Sequence, residues 1–380
     1  MTKQDNLIKD KLLRLYKKNN PSLPTNLRER MKINQNALEK LSFPVRFFNN
    51  LSVGDFACGT GEFCMVAAKN GAKAEGFDFN EISVNIAKKN TKKLKIKNCK
   101  FHKKEFFKIK KKYDFVICTA ALHHLPNPYE GLKYLKSRVK KNGFLFVSFG
   151  LDSSNIIHNL LKLIVRNWGK KDKEITKTSK FLFKNHIERC VKFGLRKEDS
   201  VIADQFINTQ HYFLNLGNVL KILEKNFSLH SSWPPKFLPL ADSLNNITVK
   251  KHNFTSSELM WSTKTFDDYK RHKNFSTSIN FGLFEKFKDL LNNNPNKSID
   301  EILKKYNFLQ SKKNFDYSKL DFGFNLSKHT DRFYREIYEL LLFFKKKRNL
   351  NEAKKEINKK KFIFKGTNGL GLNYFIFKKN

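Results

Sequence analysis

Asp55, Asp78, His123 and His124 are the side chains whose types and settings could do chemistry in this sequence. The acids stand at the ends of two short apolar runs, "LSVGDFA" and "AKAEGFDF", and the histidines follow a third, in "YDFVICTAALHHLPNP" (Tyr113 to Pro128). An ionised carboxylate at a strand end accepts hydrogen bonds from two neighbouring hydroxyls, and an imidazole exchanges a proton near neutral pH. Between the acids Gly59 and Gly61 are separated only by Thr60. Glycine costs backbone entropy and is kept where a close approach or a positive φ requires it.

Three ligands compete for that glycine loop. A phosphate cradle of the Walker type needs Lys and Ser or Thr after the glycines, but Glu62 follows Gly61 and would repel phosphate. A dinucleotide fingerprint needs a third glycine or alanine where Cys64 stands, which weakens that reading. The remaining ligand is a nucleoside without pyrophosphate, with the backbone at Cys58 to Gly61 passing against a ribose and an amino-acid tail.

The elements that must position these residues alternate in kind. Strands "LSVGDFA", "AKAEGFDF", "CKFHKK", "YDFVICTA" and "GFLFVSFG" are separated by helices "GEFCMVAAKNG", "EISVNIAKKNTKKL" and "PYEGLKYLKSRVKK". Apolar strands alternating with amphipathic helices predict an α/β fold with a parallel sheet covered on both faces. Ligands of such sheets bind beyond the carboxyl ends of the strands, where the strand order reverses. Before this core, "NLIKDKLLRLYKK" (Asn6 to Lys18) and a stretch near Arg28 to Leu41 read as helices. After it, helices are expected at Asn155 to Lys170 and Leu214 to Asn226, a strand at "FSLHSSWPP", a long helical stretch from Phe281 to Lys361, and a hairpin or two strands in "KFIFKGTNGLGLNYFIFKK". The division is a helical cap over residues 1–50, a ligand-binding core over 51–150, and a largely helical C-terminal region over 151–380 that completes the sheet.

"VGDFACGTGEF" resembles the first motif of the class I S-adenosylmethionine-dependent methyltransferases. In that resemblance Asp55 takes the acid position, Gly59 and Gly61 the second and third glycines, and Ala57 replaces the first. It implies a Rossmann-like, doubly wound, mostly parallel sheet, with S-adenosyl-L-methionine as cofactor held by Asp55, Ala57, Cys58, Gly59 and Gly61. Asp78 falls where the family accepts the ribose hydroxyls, Phe79 where a ring lies against adenine, and Glu105 nearest to an acid that contacts the adenine amino group. The His-His-Leu-x-x-Pro segment is similar to one lining the cofactor's methionine end in many small-molecule members, which makes Thr119, Ala120 and Leu122 cofactor or pocket contacts. The resemblance covers about residues 40 to 150.

Methyl transfer from a sulfonium needs acceptor, methyl and sulfur in line, and it needs a general base only where the acceptor is a hydroxyl or a protonated amine. His124 is the choice for that base, set against a plain packing role for either histidine. Acceptor specificity is expected outside the core, where "ADQFINTQHYFLN" gathers Asp204, Gln210, His211 and Tyr212, with an ordinary capped helix start as the competing reading. Trp168, Trp233 and Trp261 are weighed as stacking surfaces against core packing.

Composition bounds the rest. The chain has 380 residues, 40% of them hydrophobic and 38 of them Phe, enough for a substantial core. No apolar run is long enough to span a bilayer, and no secretory leader is visible at the amino terminus, so a cytoplasmic protein is expected. The five cysteines form no CxxC pair and no zinc spacing, and no metal is expected. The net charge of +40 comes almost wholly from Lys accompanied by abundant Asn, Ile and Phe, a codon-bias signature, and the basic runs lack the aromatic spacing of a single-strand platform. Solvated faces are therefore weighed above a nucleic-acid site. The sequence reading is a methyltransferase acting on a small-molecule acceptor. Its alternatives are an RNA or protein methyltransferase and a catalytically silent S-adenosylmethionine-binding module.

Overall fold

In the computed structural model the chain is described over residues 10–16, 23–150, 155–208, 211–212, 214, 216–233, 336–337, 339–344, 349–360, 363–364 and 372–380. Seven strands form one sheet: β1 (Ser52–Phe56), β2 (Lys73–Asp78), β3 (Cys99–Lys103), β4 (Tyr113–Thr119), β5 (Val139–Gly150), β6 (Phe227–Trp233) and β7 (Leu372–Lys379). Their order is β3-β2-β1-β4-β5-β7-β6. The first five strands run parallel, and β7 lies antiparallel between β5 and β6. The order reverses between β1 and β4, which pair directly with Asp55 opposite Ile117. The loops that leave these two strands therefore emerge side by side, at the edge where such sheets bind ligands.

The strands are apolar on both faces because both faces are covered. Along β4, Phe115 and Ile117 enter one core cluster while Val116 and Cys118 enter the other. On the first face pack α1 (Leu27–Lys40), α2 (Glu62–Lys69) and α3 (Glu81–Lys93); on the second pack α4 (Pro128–Arg138) and α9 (Leu216–Leu223). Each helix start has a local cause. Asn26, Asn80 and Asn127 cap α1, α3 and α4 through their side-chain oxygens, and Pro128 opens α4 with the φ that a first turn requires. A third apolar cluster joins α5 (Asn155–Arg166), α6 (Asp172–Leu182), α7 (Lys184–Gly194) and α8 (Glu198–Ile202) to residues 339–344 and α10 (Leu350–Lys359).

Most of the expected elements form. The helix expected to reach Lys141 stops at Arg138, and β5 begins at Val139 opposite Tyr113, with a register shift before Phe115. The helix expected to reach Lys170 stops at Arg166. The expected hairpin near the end of the chain is corrected to one described strand, β7, while Ile363 and Phe364 lie in a turn where Phe364 has φ 61°. Helices α6, α7 and α8 were not anticipated. Most of the stretch expected to be helical between Phe281 and Lys361 lies outside the described residues, as does Trp261. Trp168 packs edge-on against Phe344 at 5.4 Å. Four cysteines are buried and Cys58 is half-buried, all as free thiols. Among the described residues no helix is long and apolar enough to cross a membrane.

Candidate active site

The loop after β1 turns through alternate left-handed residues: Ala57 at φ 56°, Gly59 at 55° and Gly61 at 83°. Gly61 caps α2, and a Cβ there would stand 2.3 Å from the ring of Phe101 on β3. Glycine at 61 therefore serves packing and helix entry, and it brings the backbone of residues 57–61 down onto the sheet edge. Cys58 N–H bonds the Phe77 carbonyl at 3.0 Å and Gly59 N–H bonds Asp78 Oδ2 at 2.9 Å, tying the loop to the end of β2.

Asp78 also accepts from Asn80 N–H, through Oδ1 at 2.8 Å. Its carboxylate is buried and desolvation raises its pKa, against which the N–H groups of Asn80, Gly59 and Phe79 act. A carboxylate offers about four lone-pair positions, so with three N–H groups on it capacity remains for a ligand hydroxyl. Two further acids are buried nearby. Desolvation pushes the Asp55 carboxyl well above its ordinary range, and Glu62 and Asp78 add repulsion. Burial likewise raises Glu62, which accepts from the Thr60 hydroxyl and feels the Arg30 guanidinium. Three buried carboxylates around one glycine loop favour a ligand that carries positive charge.

Phe79 is half-buried at the end of β2. Glu105 follows β3 and pairs with Lys108 at 3.8 Å. At the end of β4, Thr119 is half-buried and Ala120, at φ 54°, gives its N–H to both the Ser148 carbonyl and hydroxyl at 3.1 and 2.9 Å. Leu122 is fully buried in the core cluster beneath this turn.

A short 3-10 turn, Leu122–His124, then presents the two histidines. They belong to a network assembled from distant parts of the chain. Tyr16 Oη lies 3.2 Å from His124 Nε2 and accepts from Asn208 Nδ2 at 3.2 Å. His211 Nδ1 lies 3.1 Å from His158 Nε2 and 3.2 Å from Lys162 Nζ, while its Nε2 is 3.5 Å from Asp204 Oδ1. Arg196 holds the other Asp204 oxygen at 3.0 Å. Tyr212 N–H bonds the His123 carbonyl at 2.7 Å, which fastens the two histidine segments together.

Burial dominates this network's proton affinities. Desolvation drives His123 and His158 well below the usual imidazole range and brings His211 down to about 3 and Lys162 down to about 7. For Asp204 desolvation pulls upward, but Arg196 and His211 hold it well below the ordinary carboxylate range. Asp204 and His211 were singled out in the sequence. They sit on and after a π-helical turn, Ala203–Ile207, rather than at a helix cap. Tyr16, His158, Lys162 and Arg196 were not anticipated. Lys162 and His158 are buried on α5, as is Asn159.

Residues 48–180 match a family model described as a methyltransferase domain. Over this segment the chain is similar to methyltransferase domains, in line with the class I S-adenosylmethionine-dependent resemblance of its glycine loop. The matched segment begins close to the expected start of the core and extends past its expected end at residue 150. The chain is 29% identical over 100 residues to a ubiquinone biosynthesis O-methyltransferase of Pelagibacter ubique, an alignment covering 26% of this chain and 42% of the relative. It is 28% identical over 166 residues to an uncharacterised RNA methyltransferase of Clostridium acetobutylicum, covering 42% of this chain and 35% of the relative. The chain thus spans less than half the length of these curated relatives. Among solved structures, the magnesium protoporphyrin IX methyltransferase of Synechocystis with bound S-adenosylmethionine aligns over 53% of this chain and 71% of its own, at 18% identity and a TM-score of 0.35.

Proposed function

We propose that the protein transfers a methyl group from S-adenosylmethionine to a hydroxyl of a small-molecule acceptor. The observation that carries this reading is the buried Asp78 carboxylate at the end of β2, fixed by the Gly59 and Asn80 N–H groups on the same edge of the parallel sheet as the turn after β4 that carries the histidines. When bound, the cofactor supplies a methyl on a sulfonium that leaves as a neutral thioether. Asp78 accepts a ribose hydroxyl. The backbone from Ala57 to Gly61 lies along the ribose and methionine portion, with Asp55 and Glu62 as the surrounding negative charge. Phe79 and Glu105 serve the adenine, and Thr119 and Leu122 shape the methionine end. His124 activates the acceptor hydroxyl by easing removal of its proton. Tyr16 closes the acceptor end over His124, and residues after 150, Asp204 and His211 among them, select the acceptor.

Asp78→Ala is expected to weaken S-adenosylmethionine binding by about 1.5–3 kcal/mol, the worth of a hydrogen bond to a charged group, as read by calorimetry. Unchanged affinity would remove Asp78 from the site.

A pH series tests the three acids together. Their folded-state pKa values are raised, so the stability they contribute is full below the unfolded carboxylate pKa and is lost as pH rises through the folded values. A cationic ligand offsets that loss. The extra thermal stabilisation given by S-adenosylmethionine over S-adenosylhomocysteine, which lacks the sulfonium charge, should therefore grow as pH rises above the ordinary carboxylate range. Equal stabilisation by both at every pH would show that the acids do not sense the sulfonium.

A second reading, methylation of RNA, is favoured by the RNA methyltransferase similarity together with the net charge of +40. Labelled methyl appearing in the RNA fraction of a cell extract, and not in the small-molecule fraction, would select it.

A further inference from the structure

We propose that His123, His124 and His211 bind a divalent transition-metal ion of the zinc class at the acceptor end of the site. One ring nitrogen from each of the three lies within 4.8 Å of the others, the one such group of three among the described residues. Zinc–nitrogen bonds of about 2.0–2.1 Å at tetrahedral angles set ligand nitrogens roughly 3.3 Å apart, so side-chain movements of about 1–1.5 Å close the set.

Three features make the group more than a chance gathering. The two chain segments that bring it together are joined by the Tyr212 N–H bond to the His123 carbonyl at 2.7 Å, so the rings are held from both sides. The ring of His211 is fixed in orientation, with His158 and Lys162 at Nδ1 and Asp204 near Nε2. With His158 and Lys162 at Nδ1, the ring of His211 turns Nε2 toward the ion, and the buried Asp204 carboxylate 3.5 Å from that nitrogen supplies compensating negative charge there. Lys162, the nearest competing cation, contacts the Asn208 carbonyl and the Nδ1 edge of His211.

Three protein nitrogens leave a fourth position open, the arrangement of catalytic rather than structural zinc sites. The inference deepens the reading above and rests on it only for what fills that position: an oxygen of the acceptor. The ion acidifies the acceptor hydroxyl, whose proton passes to solvent, and the oxygen–carbon bond forms as the methyl's bond to sulfur breaks. His124 then eases proton removal as a ligand of the ion.

The test uses the full chain, stripped with chelator and then dialysed separately against zinc and cobalt salts. Metal content is read by elemental analysis and cobalt geometry by visible absorption. Expected are one tightly held ion per chain, a tetrahedral cobalt spectrum, loss of both in His211→Ala and in His124→Ala, and an affinity lowered about 10–100-fold in Asp204→Asn. S-adenosylhomocysteine binding, measured on the same samples, reports separately on the cofactor site and on folding. If variants that still bind S-adenosylhomocysteine also retain the metal, or if the parent chain holds none, the metal site is overturned and the methyltransferase reading stands. If no sample binds S-adenosylhomocysteine while metal binding depends on the histidines, the methyltransferase reading falls and the metal site survives.

Discussion

His124→Ala is expected to lower methyl transfer by about 10²–10⁴-fold, the range that a positioned proton-handling group supplies, while leaving S-adenosylhomocysteine affinity nearly unchanged. The separation follows from where the residue sits. His124 is on the turn after β4, with its Nε2 3.2 Å from the Tyr16 hydroxyl. The proposed cofactor anchors, Gly59 and Asp78, are tied to each other across the ends of β1 and β2. Turnover is read as labelled methyl entering small molecules of a fractionated extract, so the acceptor need not be known beforehand. A variant as active as the parent would reduce His124 to a packing residue. A variant that lost both turnover and S-adenosylhomocysteine binding would report a collapsed loop instead.

Gly61→Ala is expected to destabilise the fold by about 2–5 kcal/mol. A left-handed φ costs a side-chain-bearing residue roughly 1–2 kcal/mol, and Gly61 has φ 83°. The added methyl would also meet the Phe101 ring at 2.3 and 2.4 Å, an overpacking that costs typically about 1–3 kcal/mol. Phe101 is itself buried between the sheet and α3, so the ring has little room to turn away. Gly194→Ala is the control. Gly194 ends α7 without a positive φ, and a Cβ there meets only the flexible Arg196 side chain at 3.3 Å. Thermal denaturation should put Gly61→Ala well below the parent and Gly194→Ala close to it. Equal melting points for the two variants would contradict the packing account of the glycine loop.

The core was legible in the sequence because its signals are local. Apolar runs such as "YDFVICTA" repeat at short range, Gly59 and Gly61 punctuate one turn, and Asn26, Asn80 and Asn127 each cap the helix they precede. Asp78 could be picked out because it ends the second strand, where the resembling family places the acceptor of the ribose hydroxyls. The acceptor end has no such local mark. His124 meets Tyr16 from more than a hundred residues away, and His211 meets His158 and Lys162 across some fifty. Nothing about Lys162 within "NLLKLIVR" reveals that it faces inward. Helices α6 to α8 escaped notice because their buried residues, among them Ile175, Leu182, Ile187 and Val201, are spaced between lysines and asparagines that dilute the periodicity. The aromatic run before β7 misled for a different reason. Alternation alone does not tell a strand from a turn, and Phe364 takes a left-handed conformation that no strand accommodates.

The position of β7 bears on how the sheet is completed. It is the last described strand in the chain, yet it occupies the gap between β5 and β6, and among the described residues β6 has no other neighbour in the sheet. Both neighbours of β7, β5 and β6, precede it in the chain, and residues 372–379 complete the sheet between them. The pairing of β7 with Phe144 to Gly150 covers a β5 edge that, left exposed, would offer unpaired backbone to other chains. The strands that carry the candidate site, β1 to β4, are thus far from the last strand in sequence, while the strand that joins β6 to the sheet comes from the very end of the described chain.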